Sequence, residues 1–228
     1  MSNDRKSEIK SAYKSLGKAH GFYDGMMTGS NAVGRFMDKT VWNMTHDEVL
    51  EYQSEAFAAI PKDFNGKLLE VPVGTGVLSM PVFKTLPDAD ITCLDYSEKM
   101  MESAQSRANE MQIKNITFLQ GDVGQLPFEN EYFDAVVSLN GFHAFPDKEA
   151  AYREVYRVLK KGGMFCGCFY IEKEYPRTDF FVNTLYVPKG FFTPPFESKA
   201  SLKRRLENMY SSVEVHSVNA EGIFCCIK

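Results

Sequence analysis

The sequence predicts an α/β fold: a doubly wound, mostly parallel seven-stranded sheet with an antiparallel last strand. Three observations predict it. From Lys67 onward, apolar runs of strand length alternate with helical segments, the pattern of a sheet with crossover helices. Those runs are nearly continuously apolar, as strands covered on both faces must be. Near the end, the runs 212–218 and 221–227 stand too close together for a crossover helix, so they form a hairpin.

The elements follow in order. Residues 1–62 read as a helical N-terminal segment, with helices over 7–19 and 46–60 and a loop over 20–34. Val49, Tyr52, Ala56 and Ile60 recur at helical spacing, and Pro61 closes that helix. The α/β core covers 63–171. Its strands are expected at 67–73, 90–95, 115–122, 132–140 and 164–171. A helix from about 77 to 85 follows the first. Ser97 caps the second, which buries Met100, Ala104, Ala108 and Met111 on one face. Asp147 caps a third helix that carries Lys160 and Lys161 at its negative end and stops at Gly162. Residues 172–200 form an irregular aromatic insertion. Residues 201–228 supply a helix and the hairpin that completes the sheet.

Composition narrows the function. A chain of 228 residues with 44% apolar content suits one α/β domain with additions. A net charge of −4 provides no basic field for nucleic acid. No apolar run reaches the length of a membrane span, and the polar start lacks the core of a signal peptide. Cys93, Cys166, Cys168, Cys225 and Cys226 form no CxxC pair and lie in apolar runs, as buried thiols of a cytoplasmic protein do. A thiophilic site, such as one for arsenic, needs three of them to converge in an exposed, electropositive setting that these runs do not suggest.

In an open parallel sheet, ligands bind beyond the carboxyl ends of the strands where the strand order reverses. Four loops should meet there: VGTG from Val73, DYSEKM from Asp95, GDV from Gly121 and NGFH from Asn140. Gly74 and Gly76 allow positive φ and close approach of backbone to a ligand. Asp95, 19 residues after Gly76, can accept both hydroxyls of a ribose. Asp122 can accept from an exocyclic adenine amine. Glycines also make ordinary turns and aspartates also cap helices; four such loops in the correct chain order outweigh that reading.

On these residues the sequence resembles class I S-adenosylmethionine-dependent methyltransferases. The first motif is Glu70 followed by Pro72, Gly74 and Gly76; the second is Asp95-Tyr96-Ser97 with Met100; the third is Gly121-Asp122-Val123, then Leu126-Pro127-Phe128 and Phe133-Asp134. Residues 22–42 are similar to the N-terminal segment of the ubiquinone/menaquinone-biosynthesis type. The resemblance implies S-adenosyl-L-methionine as cofactor, held by Tyr23, Glu70, Pro72, Gly74, Gly76, Asp95, Tyr96, Met100, Gly121, Asp122, Val123 and Asn140. It implies a small-molecule methyl acceptor, a cap over the cofactor site from 1–62, and a substrate lid from 172–200. Pro72 departs from the motif's usual glycine. Proline keeps the carbonyl that faces the cofactor's amino group in this family and loses only the N–H.

His143 is the candidate general base, and a packed loop histidine is its alternative. Tyr23 and Trp42 are candidates to close the pocket. Tyr170, Tyr175, Phe180, Phe181, Tyr186, Phe191 and Phe192 suit either an aromatic acceptor or a satellite core. A nicotinamide-dependent oxidoreductase fits less well, because Ser79 stands where its third glycine is needed. A catalytically silent S-adenosylmethionine-binding regulator or complex subunit is the remaining alternative.

Overall fold

The structure, a computed structural model, describes residues 24, 25 and 27–228. The helix expected over 7–19 and the candidate Tyr23 lie outside them. Among the described residues, seven strands form one sheet: β1 (Lys67–Glu70), β2 (Asp90–Asp95), β3 (Ile116–Gln120), β4 (Phe133–Leu139), β5 (Leu159–Tyr170), β6 (Ser212–Val218) and β7 (Glu221–Ile227). Their order is β3-β2-β1-β4-β5-β7-β6. The first five are mutually parallel, and β7 runs antiparallel to both β5 and β6. The predicted architecture is therefore the observed one. Strand order reverses between β1 and β4, so the crevice for a ligand opens beyond their carboxyl ends.

Why the strands are continuously apolar is visible in their two faces. Leu68, Val137, Cys166 and Ile223 pack on one side against Val49 and Tyr52 of α2 (His46–Glu55), Met80 and Phe83 of α3 (Met80–Phe83), and Ala104 and Ala108 of α4 (Glu98–Glu110). Leu69, Val136, Phe165 and Phe224 pack on the other against Tyr152 and Val155 of α5 (Lys148–Val158) and Leu202 and Leu206 of α7 (Lys199–Glu207). Neighbours along a strand thus serve opposite layers. Each such leucine, isoleucine or phenylalanine contributes about 1.5–3 kcal/mol by leaving water. Ahead of α2 lie α1 (Ala32–Met37) and a π-helical turn, Asp38–Trp42.

Two predicted caps stand as expected. Ser97 Oγ accepts from Met100 N–H at 3.4 Å, and Asp147 Oδ1 accepts from Ala150 N–H at 2.9 Å. Several boundaries differ. Helix α2 ends at Glu55, not Ile60, because the chain tightens into successive turns: Phe57 N–H donates to Ser54 O at 3.2 Å and Ile60 N–H to Phe57 O at 2.9 Å. Ala56, Phe57 and Ile60 remain buried, so the apolar spacing marked burial correctly and helix length wrongly. Helix α3 is only Met80–Phe83. Helix α5 ends at Val158, and Leu159 already pairs with Phe133 as the start of β5. Lys160 consequently binds Asp134 at 2.7 Å instead of capping a helix. The insertion is more regular than expected, with α6 (Pro176–Phe181) and a second π-helical turn, Val182–Tyr186.

Gly167 fixes the spacing of the central strands β4 and β5. A Cβ there would sit 1.9 Å from the Ser138 carbonyl oxygen, a backbone atom that cannot rotate away. Gly167→Ala is therefore expected to destabilise the fold by at least about 2 kcal/mol, through overpacking against rigid backbone. Urea denaturation of the two proteins measures it; a change within experimental error would contradict this packing.

Candidate functional site

The cleft begins where β1 ends. Val71 N–H donates to Val137 O on β4 at 3.0 Å, and Val73 N–H donates to Leu94 O on β2 at 3.0 Å. Pro72, with no N–H to satisfy, lies between these two anchors, and the Val71–Pro72 peptide is cis. The chain then turns through Gly74 (φ 56°) and Gly76 (φ 70°). Left-handed φ explains glycine at both positions. A Cβ on Gly74 would meet nothing within 4 Å, so the space above that turn is open.

Asp95 holds the turn in place. It is buried at the end of β2, where Oδ2 accepts from Gly74 N–H at 2.8 Å and Oδ1 from Ser97 N–H at 2.7 Å. Burial pushes its pKa up to about 6, against the opposing pull of the Ser97, Gly74 and Tyr96 N–H groups. One strand away, Glu70 is more strongly affected. Burial raises it to about 8, while Ser79 and Cys93 act in the other direction; Cys93 Sγ lies 3.6 Å from Oε2. Near neutral pH, Glu70 is therefore a protonated acid and Asp95 a carboxylate.

Together these groups line a cleft of about 1070 Å³, some of it open to solvent. Glu70, Pro72, Gly74, Gly76, Asp95, Tyr96, Met100, Gly121, Asp122, Val123 and Asn140 all face it. The four loops expected to meet do meet. Gly121 N–H donates to Asp95 O at 3.0 Å, which joins the third loop to the second. Asp122 Oδ1 accepts from Gly124 N–H at 2.9 Å and caps the short 3-10 turn Val123–Gln125. Asn140 adopts φ 51° at the exit of β4, and its Nδ2 is buried without a hydrogen-bond partner among the described residues. An unsatisfied buried donor on the wall of an open cleft fits a ligand acceptor.

Other cleft residues gave no signal in the sequence. Met27 and the run Ala144, Phe145 and Pro146 complete the walls. A clamp sits at the glycine turn. Thr75 Oγ1 donates to Asp24 Oδ1 at 2.6 Å, Arg107 Nε donates to Thr75 O at 3.3 Å, and Arg107 forms an ion pair with Asp24. Asp24 and Arg107 are 83 residues apart, so no local spacing announces them.

His143 is not on the cleft wall. Its ring is buried and stacks on Phe192 with centroids 3.8 Å apart, and Nδ1 accepts from Tyr170 N–H at 3.1 Å. Burial, assisted by the charge of Lys148, lowers its pKa to about 3. The expectation of a general base is corrected: the basic nitrogen is already occupied by backbone, and the ring is turned into the core. Trp42 likewise joins an aromatic cluster with Tyr170, Tyr186 and Phe192, at centroid distances of 6.1 to 6.3 Å, and does not line the cleft.

Comparison with known proteins agrees with this geometry. Residues 68–163 match the family model of a methyltransferase domain. Over 120 residues the chain is 35% identical to the demethylmenaquinone methyltransferase of Thermotoga maritima, covering 53% of this chain and 49% of that protein. It is 32% identical to the 2-methyl-6-phytyl-1,4-hydroquinone methyltransferase 2 of Oryza sativa over 100 residues, 44% of this chain and 28% of that protein. The chain thus spans half or less of the length of these relatives. An S-adenosylmethionine-dependent methyltransferase from Aquifex aeolicus shares the fold, with a TM-score of 0.60 at 16% identity over 84% of this chain and 93% of that one. Residues 68–163 thus match a methyltransferase domain, and the relatives that share this region are named as quinone-type methyltransferases.

The histidine's burial has a measurable consequence. Its folded pKa of about 3 lies below the ordinary 6.5, so the unfolded chain takes up a proton first. The stability this neutral ring contributes is present above pH 6.5 and is lost as pH falls from there towards 3, on the order of 1 kcal/mol per pH unit. His143→Gln keeps an acceptor for Tyr170 N–H and removes the ionisation. Its unfolding free energy should decline less steeply than wild type between about pH 6.5 and 4, and parallel slopes in urea titrations would refute the assignment.

Proposed function

We propose that this chain transfers the methyl group of S-adenosylmethionine to a small-molecule acceptor, bound beside the cofactor under the aromatic insertion. The convergence of four loops on one cleft, within the matched methyltransferase domain, carries this reading. The residues fit the group. Asp95 keeps lone pairs for the ribose hydroxyls, and Asp122 suits the adenine amine. Glu70, Asn140 and the Pro72 carbonyl surround the space for the methionine portion, and the open volume over Gly74 admits it.

When bound, S-adenosylmethionine supplies a methyl already activated by its sulfonium. The chain's share is accordingly positioning and exclusion of water. Asp24, Thr75 and Arg107 fold the N-terminal segment against the glycine turn and place Met27 on the cleft wall. Thr193 ties the insertion to the neighbouring wall: its N–H donates to His143 O and its Oγ1 to Ala144 O, both at 2.9 Å. On this reading the described part of the N-terminal segment serves as a cap and 172–200 as a lid. The names of the relatives concern quinone-type compounds, and the insertion's rings suit an aromatic acceptor. Among the described residues no helix is long and apolar enough to cross a membrane. All five cysteines are free thiols, which suits a cytoplasmic setting.

Two measurements test the reading. S-adenosylhomocysteine should raise the melting temperature by mass action, since it binds only the native state, and NADH should leave it unchanged. Protection by NADH alone would overturn the cofactor assignment. Asp95→Ala should weaken S-adenosylhomocysteine binding by about 1.5–3 kcal/mol in calorimetry. The same substitution should lower the melting temperature, because the Gly74 and Ser97 N–H groups lose their shared acceptor. Unchanged affinity would remove Asp95 from the ribose role.

A further inference from the structure

We infer that Arg107, a residue outside the cleft lining, is a positioning residue for the cofactor: it holds the glycine turn and the Met27 wall in the arrangement that binds. This deepens the methyl-transfer reading above and rests on it. Arg107 stands in the last turn of α4, where a cation ordinarily serves the helix's own carbonyls. Its guanidinium is directed elsewhere. Nε donates to the Thr75 carbonyl at 3.3 Å, and a terminal nitrogen pairs with Asp24 Oδ2. Asp24 Oδ1 in turn accepts from Thr75 Oγ1 at 2.6 Å, so the three residues close a ring of contacts.

That ring reaches the cleft at two places. The first is the turn itself. Thr75 lines the cleft between Gly74 and Gly76, and a turn flanked by two glycines has little intrinsic stiffness. Asp95 fixes it from the β2 side, through Gly74 N–H, and Arg107 and Asp24 fix it through Thr75. Thr75 is 2% exposed, so its carbonyl has little water to turn to when Arg107 lets go. The second place is Met27. Thr28 donates to the Asp24 carbonyl from its N–H at 3.0 Å and from Oγ1 at 2.8 Å. Gln53 Nε2 of α2 donates to the Met27 carbonyl at 2.9 Å. Met27, on the cleft wall, is therefore suspended between α2 and the clamp.

The strength of the clamp sets how much of the protein is ready to bind. The Arg107 and Asp24 side chains are 31% and 15% exposed, so water weakens their attraction without abolishing it. A ligand that needs the closed arrangement binds with an affinity reduced by the fraction of molecules that are open. Removing either charge enlarges that fraction while leaving the cleft's own side chains in place.

The test uses the whole protein with S-adenosylhomocysteine as probe. Arg107→Gln and Asp24→Asn should each weaken its binding about three- to tenfold in calorimetry, the loss expected from one partly exposed, hydrogen-bonded ion pair. The double variant should bind no more weakly than the weaker single one, because the two residues act as a unit. Arg107→Lys, which keeps the charge, should bind more tightly than Arg107→Gln. The urea midpoint of the ligand-free protein should barely move, a result that a merely structural role would not give. In the wild type, S-adenosylhomocysteine should slow hydrogen exchange at the Thr28 amide more than in the β6–β7 hairpin. Unchanged affinity in either single variant, additive losses in the double variant, or a fall in urea midpoint that accounts for the weaker binding would each overturn the proposal. Should Arg107→Gln not fold, the wild-type exchange decides alone, and no extra protection at Thr28 refutes the role. Thermal protection of the wild type by S-adenosylhomocysteine, measured separately, shows whether the methyltransferase reading or only the role of Arg107 has failed.

Discussion

One buried carboxylate, Asp95, organises the site. Its two oxygens hold Gly74 N–H and Ser97 N–H, so the turn after β1 and the start of α4 hang from the last residue of β2. The Asp95 carbonyl holds Gly121 as well, which brings in the loop after β3. Three connections are therefore registered against a single strand end. Burial opposes the charge and the backbone donors favour it, and their balance leaves a carboxylate that is ionised near neutrality.

The two sides of the molecule use different physics. Around β1, β2 and β3 the site is built from backbone turns and buried acids. Around β5 and β7, outside the cleft wall, the molecule is packed with rings: His143 stacks on Phe192, and Tyr170, Trp42 and Tyr186 close about them. Asp179 holds this layer shut, accepting from the Tyr170 hydroxyl at 2.6 Å and Lys173 N–H at 3.0 Å. The polar side lines the cleft, and the ringed side is a packed layer beside it.

Much of this was legible in the chain. Strand order, the caps at Ser97 and Asp147 and the meeting of four loops follow from local spacing, because a parallel sheet places every βα loop at one edge. At Pro72 the sequence shows only that an N–H is missing; the two ladder anchors on either side, which make that loss tolerable, are visible in the structure alone. Helix ends were less readable. Whether Leu159 continues α5 or begins β5 depends on its pairing with Phe133, a contact invisible at helical spacing. Of the two readings of His143 the packed one holds: Tyr170 and Phe192, far along the chain, turn the ring inward, and spacing alone could not choose between them.

The Asp24–Arg107 pair ties together two distant parts of the chain. It is only half-buried, and it fastens the chain entering the domain to the glycine turn at the cleft. Their attraction is partly screened by dissolved ions. The hold of this segment on the turn therefore weakens as ionic strength rises, a dependence that the apolar contacts of the sheet beneath do not share.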